Sequence, residues 1–213
     1  MSTGYILKYV LQGAPTTLEI AAGAWVLGTV LGLLLALVRQ PGGILGFSAA
    51  SVVTVLRCVP PLVLLYVVFF GLAADGVAIP AVPAAAAALG LVEASFTAEY
   101  FRAGFLTVQS GQYDAAHSIG LSRFSAFRLV IVPQAFIFAV PPLLNSFVAL
   151  LKLATIASAV GAPELLYRGQ LVYEQSGQIT TVVVVIILIY LLVTIPLTKA
   201  ISMLEAKLQL AMR

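Results

Sequence analysis

Five apolar stretches, residues 18–38, 47–72, 80–107, 127–151 and 179–200, occupy most of the chain and are divided by short polar links. Each approaches the roughly 20 residues that a helix needs to cross a bilayer. Apolar residues run continuously within them rather than alternating with period two, so a closed β-barrel is not expected. The pattern predicts an all-α membrane protein with five transmembrane helices. Between the third and fourth stretches it changes character. From Tyr113 to Ala135 the chain reads YDAAHSIGLSRFSAFRLVIVPQA, a polar island with a break at Gly120. Asp114, His117, Arg123 and Arg128 would be costly in lipid, so this segment reads as an excursion into water with a task to perform.

Composition agrees with that class. The 213 residues are 62% hydrophobic and 9% charged, with a mean hydropathy of +1.10, which fits a single transmembrane domain over 1–213. Residues 1–13 hold one Lys and no short apolar core before a small-residue site, so no cleavable signal peptide is expected. One cysteine, Cys58, excludes an intrachain disulfide and leaves no metal cluster; beside Arg57 in an apolar stretch, it reads as buried packing. A net charge of +3 gives no support for nucleic-acid binding.

The placement of the bases is more telling than their number. Arg39 follows the first stretch, Arg102, Arg123 and Arg128 surround the third link, and Lys199, Lys207 and Arg213 follow the fifth. The opposite side would hold Lys8, Asp75, Glu164, Arg168 and Glu174, a mixed set. The positive-inside rule then places the N-terminus outside and the C-terminus in the cytoplasm.

Local signals refine each stretch. Gly28 and Gly32 share one helical face and permit close packing. Pro41 with Gly42 and Gly43 marks a turn. Pro60 and Pro61 make a straight second helix improbable; an interfacial segment over 47–57 that turns into the membrane near Pro60 is expected. An alanine run at 84–88 suits a buried central helix, and Glu99 and Arg102, three apart, can pair. Residues 162–177 read as an extracytoplasmic loop. Arg57, Glu93, Asn145 and Lys152 are polar groups within or beside spans, and so candidates for a translocation path.

Residues 111–128 have the local chemistry of a docking element. Gly111 would free the chain from the third helix, and 113–119 would form two turns with Asp114 near their positive end. Ala115 and Ala116 would leave room for a partner. Gly120 suits a left-handed cap and Ser122 the start of the next helix.

The order of these segments resembles the permease subunits of polar amino-acid ABC importers, the histidine, glutamine and arginine permease-like family. The resemblance rests on Thr16-Thr17-Leu18, on Leu35 to Arg39, and on Arg57-Cys58-Val59-Pro60-Pro61-Leu62. It continues through Ala94 to Gly104, Pro133-Gln134-Ala135, Pro141-Pro142-Leu143, Leu150-Leu151-Lys152 and Gly169-Gln170. The stretch Asp114-Ala115-Ala116 with Gly120 is similar to the family's cytoplasmic EAA loop, with Asp for the usual Glu. Two further departures are Cys58-Val59, where Gly-Thr is common, and Leu153-Ala154-Thr155, where Asp-Thr-Ser is frequent.

The resemblance implies a type I ABC importer permease fold in a bacterial inner membrane. It implies a second permease subunit, a cytoplasmic ABC ATPase dimer and an extracytoplasmic substrate-binding protein as partners, with membrane lipid around them. It assigns ATPase coupling to Gly111, Tyr113, Asp114, Ala115, Ala116, His117, Gly120, Arg123 and Pro133, and an amino acid or related zwitterion as cargo. ATP and Mg would belong to the ATPase. This chain has no G-x-x-x-x-G-K-[ST] loop, and none of its four lysines follows a Gly. No cofactor, metal or catalytic residue is expected here. The rival reading is an ion-driven carrier or channel using Glu93 and Lys152 as relays, which would have no need of the polar loop; a membrane enzyme would have one His and one Cys to work with.

Overall fold

The computed structural model describes residues 1–40 and 42–211, and among these the regular structure is helical throughout. The turn residue Pro41 and the terminal base Arg213 lie outside the described residues. In chain order the helices are α1 (Thr3–Leu11), α2 (Ala14–Arg39), α3 (Gly43–Cys58), α4 (Pro61–Ala74), α5 (Ala81–Thr107), α6 (Ser110–Ser118), α7 (Arg123–Val160), α8 (Leu165–Ser176) and α9 (Ile179–Ala211). Four segments, Thr3–Arg39, Ala81–Thr107, Arg123–Val160 and Ile179–Leu208, are long and apolar enough to cross a membrane. The pair α3 and α4, bent by 102°, makes a fifth if taken as one broken span.

The bend has a local cause. Val59 precedes Pro60 and is extended at φ −78°, ψ 127°, as steric conflict with a following proline ring requires. Pro60 is extended as well, and Pro61 occupies a helix-starting position where its missing N–H costs nothing. The bend also leaves Cys58 exposed, against the expectation that it packs inside.

Helix α5 is the central element, packed against both α2 and α7. Its alanines make this possible: Ala84, Ala85, Ala88, Ala94 and Ala98 are buried, so neighbouring backbones come close. The glycines of α2 complete the fit. A Cβ at Gly28 would lie 2.5 Å from Glu93 Cβ, and one at Gly32 2.6 Å from Thr97 Cβ. On the other side, Pro141 and Pro142 lie within α7. Just beyond them the Leu143 carbonyl accepts hydrogen bonds from the Trp25 indole at 2.8 Å and from Ser146 Oγ at 2.8 Å. The Trp25 indole thereby ties α2 to α7 through a backbone carbonyl one residue beyond the proline pair.

The expected loop over 162–177 is largely the helix α8. Its N-cap is Glu164, whose carboxylate accepts the amides of Leu166 at 2.9 Å and Tyr167 at 2.7 Å; Gly177 closes the other end at φ +68°. Leu165 and Val172, seven apart on one face, pack with Ile6 and Val10 of α1 and Val182 to Ile189 of α9. Sequence reading missed it because Glu is an uncommon N-cap.

Glu164 is fully buried, and loss of water pushes its carboxyl from an ordinary 4.5 up to about 7, although the two amide donors favour its charged form. The fold therefore holds this proton more tightly than the unfolded chain does. Its contribution to stability is complete below about pH 4.5 and is lost as pH rises through about 7. We expect the thermal midpoint to fall between about pH 4.5 and 7, and to fall less in Glu164→Gln. Equal pH dependence in the two proteins would contradict this assignment.

Candidate functional site

The polar segment is built from local capping signals. Val108 and Gln109 are extended, with ψ 122° and 140°, so α5 ends before Gly111 and α6 starts at Ser110. Gly111 is therefore inside a helix rather than at the break, and a Cβ there would meet nothing within 4 Å. The earlier start also moves Asp114 into the second turn, away from the positive helix end where the sequence had put it. The far end follows expectation. Gly120 stands at φ +86°, its amide bonds the His117 carbonyl at 2.9 Å, and the Leu121 amide bonds the Ala116 carbonyl at 3.1 Å. This is a Schellman closure. His117 Nδ1 lies 2.9 Å from the Leu121 carbonyl, and Ser122 Oγ accepts the Ser125 amide at 3.2 Å to start α7.

Tyr113, Asp114, Ala115, His117, Gly120 and Arg123 are exposed on this element, and Pro133 is exposed on α7. Ala116 is not: it is 3% exposed, on the side of α6 that packs onto the beginning of α7. The expectation that both alanines face a partner therefore holds for Ala115 alone. Sequence reading also passed over Ile119 and Phe124, which are 77% and 71% exposed and flank the Gly120 turn. Their signal was visible as large apolar residues inside the polar island.

The helices on either side of the segment are clamped together. A Cβ at Gly104 of α5 would lie 2.5 Å from the Ala135 carbonyl oxygen of α7. Two ring pairs, Phe101–Phe136 at 6.1 Å and Phe105–Phe127 at 5.7 Å, join the same helices. Gln134 Nε2 donates to Gln112 Oε1 at 3.3 Å and ties α6 to α7 directly. The turn Phe127–Ile131 at this junction is a π turn, a local widening that re-aims the helix.

The four polar residues of the spans fall into two groups. Glu93, 5% exposed, accepts a hydrogen bond from Thr97 Oγ1 at 3.0 Å and lines a cavity of about 380 Å³ with Phe96, Tyr100 and Asn145. The Arg57 guanidinium sits 5.3 Å from the centre of the ring of Phe96, one of the residues lining that cavity. Lys152 lies apart, in a groove of about 560 Å³ with Thr194, Thr198, Lys199 and Ser202. Lys199, at the end of the fifth apolar stretch, belongs to α9, which runs on to Ala211, and lines the same groove as Lys152. The Glu99–Arg102 pair is present at 2.7 Å, and Arg39 joins it at 2.6 Å from α2. Among the described residues no group of three His, Cys, Asp or Glu could hold a metal ion.

Residues 28–209 match the family described as the binding-protein-dependent transport system inner membrane component. The probable amino-acid ABC transporter permease protein YckA of Bacillus subtilis (strain 168) is 34% identical over 183 residues, 85% of this chain and 81% of that protein. The probable glutamine ABC transporter permease protein GlnM of the same organism is 34% identical over 188 residues, covering 88% and 86%. A chain from the crystal structure of an amino acid ABC transporter with histidines superposes with a TM-score of 0.89 at 30% identity, covering 97% of this chain and 99% of that one.

Proposed function

The chain belongs to the family of binding-protein-dependent transport system inner membrane components, multi-pass membrane proteins that are transport subunits rather than enzymes, and from that premise we propose that it is the permease of an ATP-driven importer for an amino acid or related zwitterion. The observation that carries the reading is the α6 element. It is a helix closed by the Gly120 turn and tied to α7, with an exposed small residue at Ala115 and exposed apolar residues, Ile119 and Phe124, on either side of that turn. Ile119 and Phe124 stand among polar residues rather than in an apolar stretch, and their exposure there suits contact with a protein surface.

In this reading α6 seats in a groove of a cytoplasmic ATPase dimer that binds ATP and Mg. Tyr113, Asp114, Ala115, His117 and Arg123 line the contact, and Gly111, Ala116, Gly120 and Pro133 shape it. Nucleotide-driven closure moves α6, and the clamp at Gly104 and Ala135 carries that movement to α5 and α7. A second permease copy or homologue completes the path, and a binding protein delivers the cargo on the outer side of a bacterial inner membrane. Glu93 and Asn145, with Arg57 stacked on the Phe96 ring nearby, suit a molecule bearing both an ammonium and a carboxylate. Lys152 and Lys199 offer a separate cationic patch. Alternating access then requires only that the partners stabilise two states of this bundle differently.

Orientation supplies the test. A cysteine introduced at exposed Gln112 in a Cys58→Ser background should resist impermeant thiol reagents added to intact cells and react after the membrane is opened. Ready labelling from outside, with the protein fully folded, would reverse the topology and remove the proposal.

A further inference from the structure

The ion cluster at the end of α2 is more than an internal clasp. Arg39 uses Nη1 on Glu99 Oε1, and Arg102 uses Nε on Glu99 Oε2. Two guanidinium charges thus share one carboxylate, and the cluster keeps a net positive charge. The remaining N–H donors of both arginines have no other ion pair among the described residues. Both arginines line a pocket of about 380 Å³ together with Gln40, Gly46, Ala50 and Leu106. Helix α3 crosses the pocket with two small residues, Gly46 and Ala50.

The border is apolar: Leu106, which lines the pocket, is 71% exposed, and Ile44, Leu45 and Phe47, sequence neighbours of Gly46 in α3, are 74–85% exposed. A free inorganic anion would gain nothing from such a border. A molecule with a phosphate attached to acyl chains would use both parts. We propose that this pocket binds the phosphate headgroup of an anionic phospholipid, with Arg39 and Arg102 as its donors and the exposed apolar residues of α3 against its chains. The pocket lies at the end of α5 that leads into α6, so a lipid held there would brace α2, α3 and α5 beside the segment proposed to couple. Lipid binding itself needs only a membrane surface at this end, and so stands or falls separately from the coupling role.

The test is lipid titration of the purified transporter complex in detergent, read by native mass spectrometry. The probes are phosphatidylglycerol and phosphatidylcholine with identical chains. Phosphatidylglycerol should bind preferentially, and Arg102→Gln should weaken it about fivefold or more. Glu99 keeps Arg39 in that variant, so the fold should stand. Ala50→Leu fills the pocket without removing charge and should reduce binding similarly, whereas Lys207→Gln should leave it unchanged. Equal binding of the two lipids, or phosphatidylglycerol binding unaffected by both pocket variants, would overturn the proposal. Displacement of the lipid by millimolar inorganic phosphate would overturn the lipid assignment in favour of a free anion.

Discussion

Ala115→Arg should abolish uptake and the binding-protein stimulation of ATP hydrolysis in proteoliposomes while the amount of folded protein stays normal. Ala115 is exposed on α6, so a long charged side chain there is harmless to this chain alone and harmful only in a close contact. An unpaired charge buried at such a contact costs several kcal/mol, on the order of a hundredfold in assembly or coupling. Ala116→Arg is the informative companion. Ala116 is buried against the chain's own helices, so that change should lower the yield or thermal midpoint of the permease before any partner is added. Wild-type stimulation in Ala115→Arg would remove α6 from the coupling contact. Equal yields of folded protein for the two variants would mean that Ala116 is not packed as described.

Gly104→Ala should weaken the clamp between α5 and α7 and impair coupling, with the binding of cargo less affected. The added methyl would stand 2.5 Å from the Ala135 carbonyl oxygen, too near for any side chain, and the obstruction is backbone. The helices must separate, at a cost of about 1–3 kcal/mol. Gly111→Ala tests the opposite case. It lies within a helix and has open space around it, so the change should be neutral or stabilising by up to about 1 kcal/mol. Thermal melts read the first effect and ATPase stimulation the second. A Gly104→Ala protein as stable and as well coupled as wild type would show that the helices are not locked at that point.

What could be read from the chain and what could not divides by range. The breaks at Pro60 and Gly120, the cap at Ser122 and the packing face of Gly28 and Gly32 are written in neighbouring residues, and the structure has each of them. Arg39 and Glu99 are 60 positions apart, and nothing local announces that the first joins the second. The same limit hid the closeness of Lys152 to Lys199, since it depends on how far α9 continues and on how it lies against α7. Ala115 and Ala116 are alike as letters; only the packing of α6 on α7 decides which faces out. Helix α8 escaped because its cap is a buried Glu, a residue whose type suggests a solvated loop.

The most direct test of the whole account is uptake of radiolabelled amino acids into proteoliposomes holding this permease, with its cognate ATPase and binding protein supplied. Accumulation should require ATP on the α6 side and binding protein on the other, and an ATPase unable to hydrolyse nucleotide should abolish it. Uptake driven by a proton or sodium gradient with ATP absent would contradict the account and identify an ion-coupled carrier.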